Sequence, residues 1–93
     1  MEESNIYNLK AAIEAILFAT GIAVEAGKLM SALGDEENPI SKKDFNQAIR
    51  ELMDEYSSEE RGINLIELDG KYQLCTKNEY YDVLSKIVNM PKK

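Results

Sequence analysis

Ile6, Leu9, Ile13, Ile16 and Leu17, closed by Thr20, recur at spacings of three and four, which predicts a helix over Asn5–Thr20. Tyr7, Ala11, Ala15 and Phe18 repeat on a second face of the same helix, and few polar residues interrupt it after Tyr7. A helix nearly apolar on two faces is buried on both. In a small domain, another chain is expected to cover one of them. Gly21 follows as a helix stop, able to take the left-handed conformation that closes a last turn.

Ile22–Val24 reads as a short extended connector. Ala26, Leu29, Met30 and Leu33 then mark a second helix over Glu25–Leu33, closed by Gly34. Gly27 inside it costs about 1 kcal/mol relative to alanine, so this helix depends on tertiary packing. Asp35–Pro39 is a polar, turn-rich loop. Ser41 opens a third helix, where its hydroxyl can cap the amide of Asp44. Phe45, Ala48, Ile49, Leu52, Met53 and Tyr56 form the buried stripe of that helix, and charged residues fill its outer face. Ile63–Leu68 and Lys71–Thr76 flank Asp69-Gly70, a strong hairpin signal. A two-residue loop sets Leu68 opposite Lys71, Leu65 opposite Leu74 and Ile63 opposite Thr76. One face then carries Ile63, Leu65, Tyr72 and Leu74, and belongs to the core. The other mixes Ile66, Leu68 and Cys75 with Asn64, Lys71 and Gln73, and is half apolar. Tyr80, Tyr81, Leu84, Ile87 and Val88 return to helical spacing and predict a helix over Asn78–Val88.

The predicted class is mainly α with a β-hairpin: a winged helix-turn-helix of three helices, a β-wing and a C-terminal helix. The 93 residues are one domain's worth of chain. Residues 1–90 are expected to form the winged-helix domain, and 91–93 the start of a linker to a second domain absent from the chain. The lone Cys75 excludes an internal disulfide and fits a reducing compartment. Glu14 interrupts the longest apolar run, Ala11–Ala19, far short of a membrane span. Met1-Glu2-Glu3 lacks the basic start of a secretory signal.

Chemistry is scarce. No histidine is present, so the commonest general base and metal ligand are both missing. Cys75 lies in a predicted strand with no base beside it, and the acidic pairs lie in loops or on solvated faces. No glycine-rich phosphate loop occurs. The expectation is therefore no catalytic residue, no metal, no cofactor and no small-molecule substrate.

Three helices with a wing describe many DNA-binding domains, in which the third helix enters the major groove. Here that helix sets Lys42, Lys43 and Arg50 against Asp44, Glu51, Asp54 and Glu55, and the whole chain has a net charge of −6. Such a surface repels about as many phosphates as it attracts, so no direct DNA binding is expected from this domain.

Leu9–Gly21, "Leu-Lys-Ala-Ala-Ile-Glu-Ala-Ile-Leu-Phe-Ala-Thr-Gly", resembles the opening helix of the bacterial segregation and condensation protein B family. Leu29–Gly34 is similar to its second helix, and Arg61–Tyr80 to its wing and the start of the next helix. The resemblance covers nearly the whole chain in order, and the wing is its most specific part. It implies the N-terminal domain of a cytoplasmic protein with two winged-helix domains, nucleoid-associated through its complex. Members homodimerise through this domain and associate with the kleisin subunit, segregation and condensation protein A, and through it with the SMC ATPase that compacts and segregates the chromosome. Two departures stand out. Glu25 replaces a usual capping serine and Gly27 a better helix former, and the Asp35–Pro39 loop is longer than usual.

The leading expectation is a non-catalytic scaffold that homodimerises within an SMC–kleisin complex. The alternative is a winged-helix DNA-binding transcriptional regulator. The self-contact or partner contact is expected to draw on Tyr7, Ala11, Glu14, Ala15 and Phe18 of the first helix, or on Ile66, Leu68 and Cys75 of the wing. Packing inside the monomer is the other reading of both groups.

Overall fold

In the computed structural model, which describes residues 8–88, the first helix (α1, Leu9–Thr20) opens at Asn8. The Asn8 carboxamide accepts from the amide of Ala11 and caps the helix; the predicted start at Asn5, with Ile6 and Tyr7, lies outside the described residues. Gly21 ends α1 with φ of 67°, the left-handed conformation expected of it, and its amide donates to Leu17.

The connector contains a strand that its hydropathy does not reveal. Val24–Glu25 (β1) pairs with the wing, and the chain turns at once into α2 (Ala26–Leu33). Glu25 offers α2 no side-chain cap, in keeping with the missing serine. Ser41 does cap α3 (Lys42–Tyr56), its hydroxyl accepting from the Asp44 amide at 3.0 Å.

The wing is β2 (Ile63–Leu68) and β3 (Lys71–Thr76), joined by Asp69-Gly70 with φ of 54° and 79°. Positive φ at both central residues gives a turn whose twist matches that of the strands. The register is the one expected: Leu68 faces Lys71, Leu65 faces Leu74 and Ile63 faces Thr76. β1 adds to the far side of β3, giving an antiparallel sheet of order β1-β3-β2.

Behind the wing the predicted Asn78–Val88 helix is replaced by a 3₁₀ turn at Asn78–Tyr80, one α-turn (α4, Tyr81–Leu84) and further turns to Val88. A short helix holds only where an apolar face is buried. Val83, Ile87 and Val88 are exposed instead, Ile87 at 86%.

One core unites these elements. Ile13 and Leu17 of α1, Leu29 and Leu33 of α2, and Phe45, Ala48, Ile49, Leu52 and Tyr56 of α3 close over Leu65 and Tyr72 of the sheet. Phe45 meets Tyr72 edge-on, with ring centroids 6.1 Å apart. Burying a side chain such as Phe45 or Leu29 is worth roughly 1.5–3 kcal/mol, which is how the uncapped α2 is held. Of the predicted inner wing face, Leu65 and Tyr72 are buried and Leu74 half-buried, while Ile63 reaches the exposed rim.

Candidate functional site

The core uses one face of α1 and leaves the other open. Ala11, Ala15 and Phe18 are exposed, Phe18 at 82%, and Glu14 is half-buried between the two faces. Beside them runs a groove of about 590 Å³, walled by Glu14, Ala15, Leu17 and Phe18 of α1, by its cap Gly21, and by Leu74, Cys75 and Thr76 of β3. Tyr56 at the end of α3 and the Arg61–Ile63 entry to β2 complete its lining.

Glu14 is held in place there. The Tyr56 hydroxyl donates to its carboxylate, and the Arg61 guanidinium lies 5.1 Å from the centre of the Tyr56 ring. Burial first, then the hydrogen bond to Glu14 and its negative charge, push the Tyr56 hydroxyl up to about 12. A turn earlier on α1, Lys10 bridges to α3. Its ammonium reaches Glu55 at 2.5 Å and Glu51 at 3.4 Å. The bond to Glu55 raises the Lys10 pKa, while the Gln47 amide, followed by Lys10, lowers that of Glu51. The Gln73 carboxamide donates to the Gly21 carbonyl at 3.4 Å, tying β3 to the end of α1.

The folding therefore brings together four residues that the sequence singles out on separate elements: Glu14, Ala15 and Phe18 with Cys75. Ala11 lies one turn away on the same open helix face. Ile66 and Leu68 are not part of the groove; Ile66 is half-buried and Leu68 is 57% exposed on the wing. Sequence reasoning missed Tyr56, which it assigns wholly to the core, and Arg61, which has no periodicity to mark it. Thr76 was legible in principle, because the hairpin register decides which way its backbone groups point.

The Glu14 carboxylate accepts from the Tyr56 phenol, Cys75 is half-buried, and among the described residues no three His, Cys, Asp or Glu side chains gather to hold a metal ion. No helix of the described residues is long and apolar enough to cross a membrane. An apolar groove beside an exposed aromatic suits contact with another chain.

The family model for the segregation and condensation complex subunit ScpB matches residues 11–93. The chain belongs to the ScpB family. It is 46% identical over 88 residues to segregation and condensation protein B of Lachnoclostridium phytofermentans, a match covering 95% of this chain and 44% of that protein. With the Bacillus subtilis protein of the same name, identity is 34% over 89 residues, covering 96% and 43%. The chain thus spans less than half the length of these ScpB relatives. Among solved structures it resembles a dimer of an ScpB N-terminal domain complexed with ScpA peptide, at a TM-score of 0.75 and 36% identity, covering 89% of this chain and 94% of that one. ScpB from Mycobacterium tuberculosis shares the fold at a TM-score of 0.72 and 20% identity, covering all of this chain and 56% of that one. The fold is the ScpB winged helix.

Proposed function

We propose that this chain is a non-catalytic scaffold module of a cytoplasmic SMC–kleisin complex for chromosome condensation and segregation, homodimerising and binding the kleisin ScpA. The observation that carries the reading is the likeness to an ScpB N-terminal domain that crystallised as a dimer with an ScpA peptide. That likeness covers nearly the full length of both domains. The open face of α1 supports it, because exposed Phe18, Ala11 and Ala15 make an apolar strip that a monomer leaves wet. We assign the self-contact to this strip, with Ile66 and Leu68 of the wing as the competing surface. Residues 91–93 begin, in this reading, a linker toward a second winged-helix domain.

Charge weighs against the DNA-regulator alternative. The outward face of α3 is exposed at Lys42, Lys43 and Arg50, but equally at Asp44, Glu51, Asp54 and Glu55. Counterion release from phosphates needs a net cationic surface. Sedimentation equilibrium of the 93-residue chain, followed by calorimetric titration with its cognate ScpA, tests the proposal. A dimer that binds ScpA is expected. A chain that stays monomeric at micromolar concentration and ignores ScpA, yet shifts duplex DNA at low salt, would overturn it.

A further inference from the structure

The hairpin register decides where each backbone group of β3 points. Successive residues of a strand send their N–H and C=O to opposite sides. The Lys77 amide donates to the Gly62 carbonyl at 2.9 Å, continuing the ladder with β2, so Lys71, Gln73 and Cys75 bond toward β2 as well. The even-numbered residues face the other edge. There the Gly70 carbonyl accepts from Ala26, and Tyr72 lies opposite Val24 near the start of β1. Leu74 and Thr76 come next. Among the described residues no strand pairs with them on that side, and both line the groove beside α1.

We infer that this groove receives an extended segment of the kleisin as an added strand, its main chain pairing with the N–H and C=O groups of Leu74 and Thr76. Alternate side chains of the segment then pack into the apolar hollow against Leu17, Ile63 and Leu74. The inference rests on the proposed binding of ScpA and adds how and where the segment is held. An unpaired strand edge is a feature proteins cover or use, and this one opens into an apolar groove. A single extended chain needs only the strand spacing of about 4.8 Å, and a groove of about 590 Å³ suits a few residues of one. A related domain, moreover, was crystallised with a peptide of ScpA.

Residue-resolved amide exchange of the chain, free and saturated with cognate ScpA, tests this. The Leu74 and Thr76 amides are expected to exchange freely alone and to slow about tenfold or more in the complex. Those of Gln73 and Cys75 should be protected in both states. Thr76→Pro deletes an amide that serves no bond to β2, at an edge position where proline is tolerated. It should weaken ScpA binding about three- to tenfold while leaving the dimer intact. Should that variant misfold, single N-methyl groups stepped along the bound ScpA segment give the same readout, with losses at alternate positions. ScpA binding that leaves Leu74 and Thr76 unprotected overturns the inference and spares the proposed function. Protection of both amides in the unliganded dimer overturns it too, by placing a second copy in the groove. Absence of any ScpA binding removes the kleisin reading and this inference with it.

Discussion

Gly34 sits where the chain leaves α2 and doubles back toward α3. A Cβ there would lie 2.7 Å from the Ile40 nitrogen and 2.8 Å from the Asn38 carbonyl, both backbone atoms. The glycine expected to close α2 is thus required by close approach, since its φ of −127° is open to any residue. Gly34→Ala should lower stability by about 1–3 kcal/mol, read as a lower urea midpoint at unchanged slope. Tyr56 is a second case. Its hydroxyl titrates at about 12 when folded against an ordinary value of 10.0. Between those values the native state holds the proton that the unfolded chain has lost, so stability falls as pH rises from 10 to 12. Tyr56→Phe should flatten that alkaline slope in pH-dependent unfolding and cost about 1 kcal/mol at neutral pH through the lost bond to Glu14. Sequence showed Tyr56 as a core position. It could not show a partner 42 positions away.

Among the elements, α2 is held by packing more than by its own residues. It lacks a side-chain cap and carries Gly27, around which a Cβ would meet nothing within 4 Å. Gly27→Ala should stabilise by about 0.5–1 kcal/mol. Glu25→Asp should add a similar amount by supplying the missing cap. Thermal melts of the two variants and their combination check both, and additivity is expected only in part because the positions adjoin. The Asp35–Pro39 loop contributes its own order: the Asp35 carboxylate accepts from the amides of Glu37 and Asn38. The C-terminal helix failed as an expectation for a related reason. Its spacing is helical, but no neighbour among the described residues buries Val83 or Ile87, and spacing without a surface to pack on yields a turn or two.

For the whole molecule, the open face of α1 and the groove beside it divide the proposed contacts. Ala11 is exposed on α1 but does not line the groove. Ala11→Glu places a carboxylate three residues after the Asn8 cap, where it supports the helix start. Like charges would then face each other across a dimer built on this strip. The expected result is dimer affinity reduced about tenfold or more by sedimentation, with the melting temperature of the monomer unchanged or raised. Leu68→Glu should leave the dimer intact. The opposite pattern would move the self-contact to the wing.

The elements and most of their boundaries were legible from residue order, because helix caps, the Asp69-Gly70 turn and hydrophobic period are local. The wing register followed from a two-residue loop, and the core lists of α1 and α3 followed from spacing. The family could be read from the wing and first helix together. Three things waited for the tertiary structure: the β1 pairing, the stunted C-terminal helix and the groove. Each depends on which surfaces meet across long separations, where the same apolar residue can face the core, another chain or water. Phe18 and Leu17 are neighbours of similar hydrophobicity in α1. Only the packing of α1 against α3 and β3 decided that one would be buried and the other left exposed.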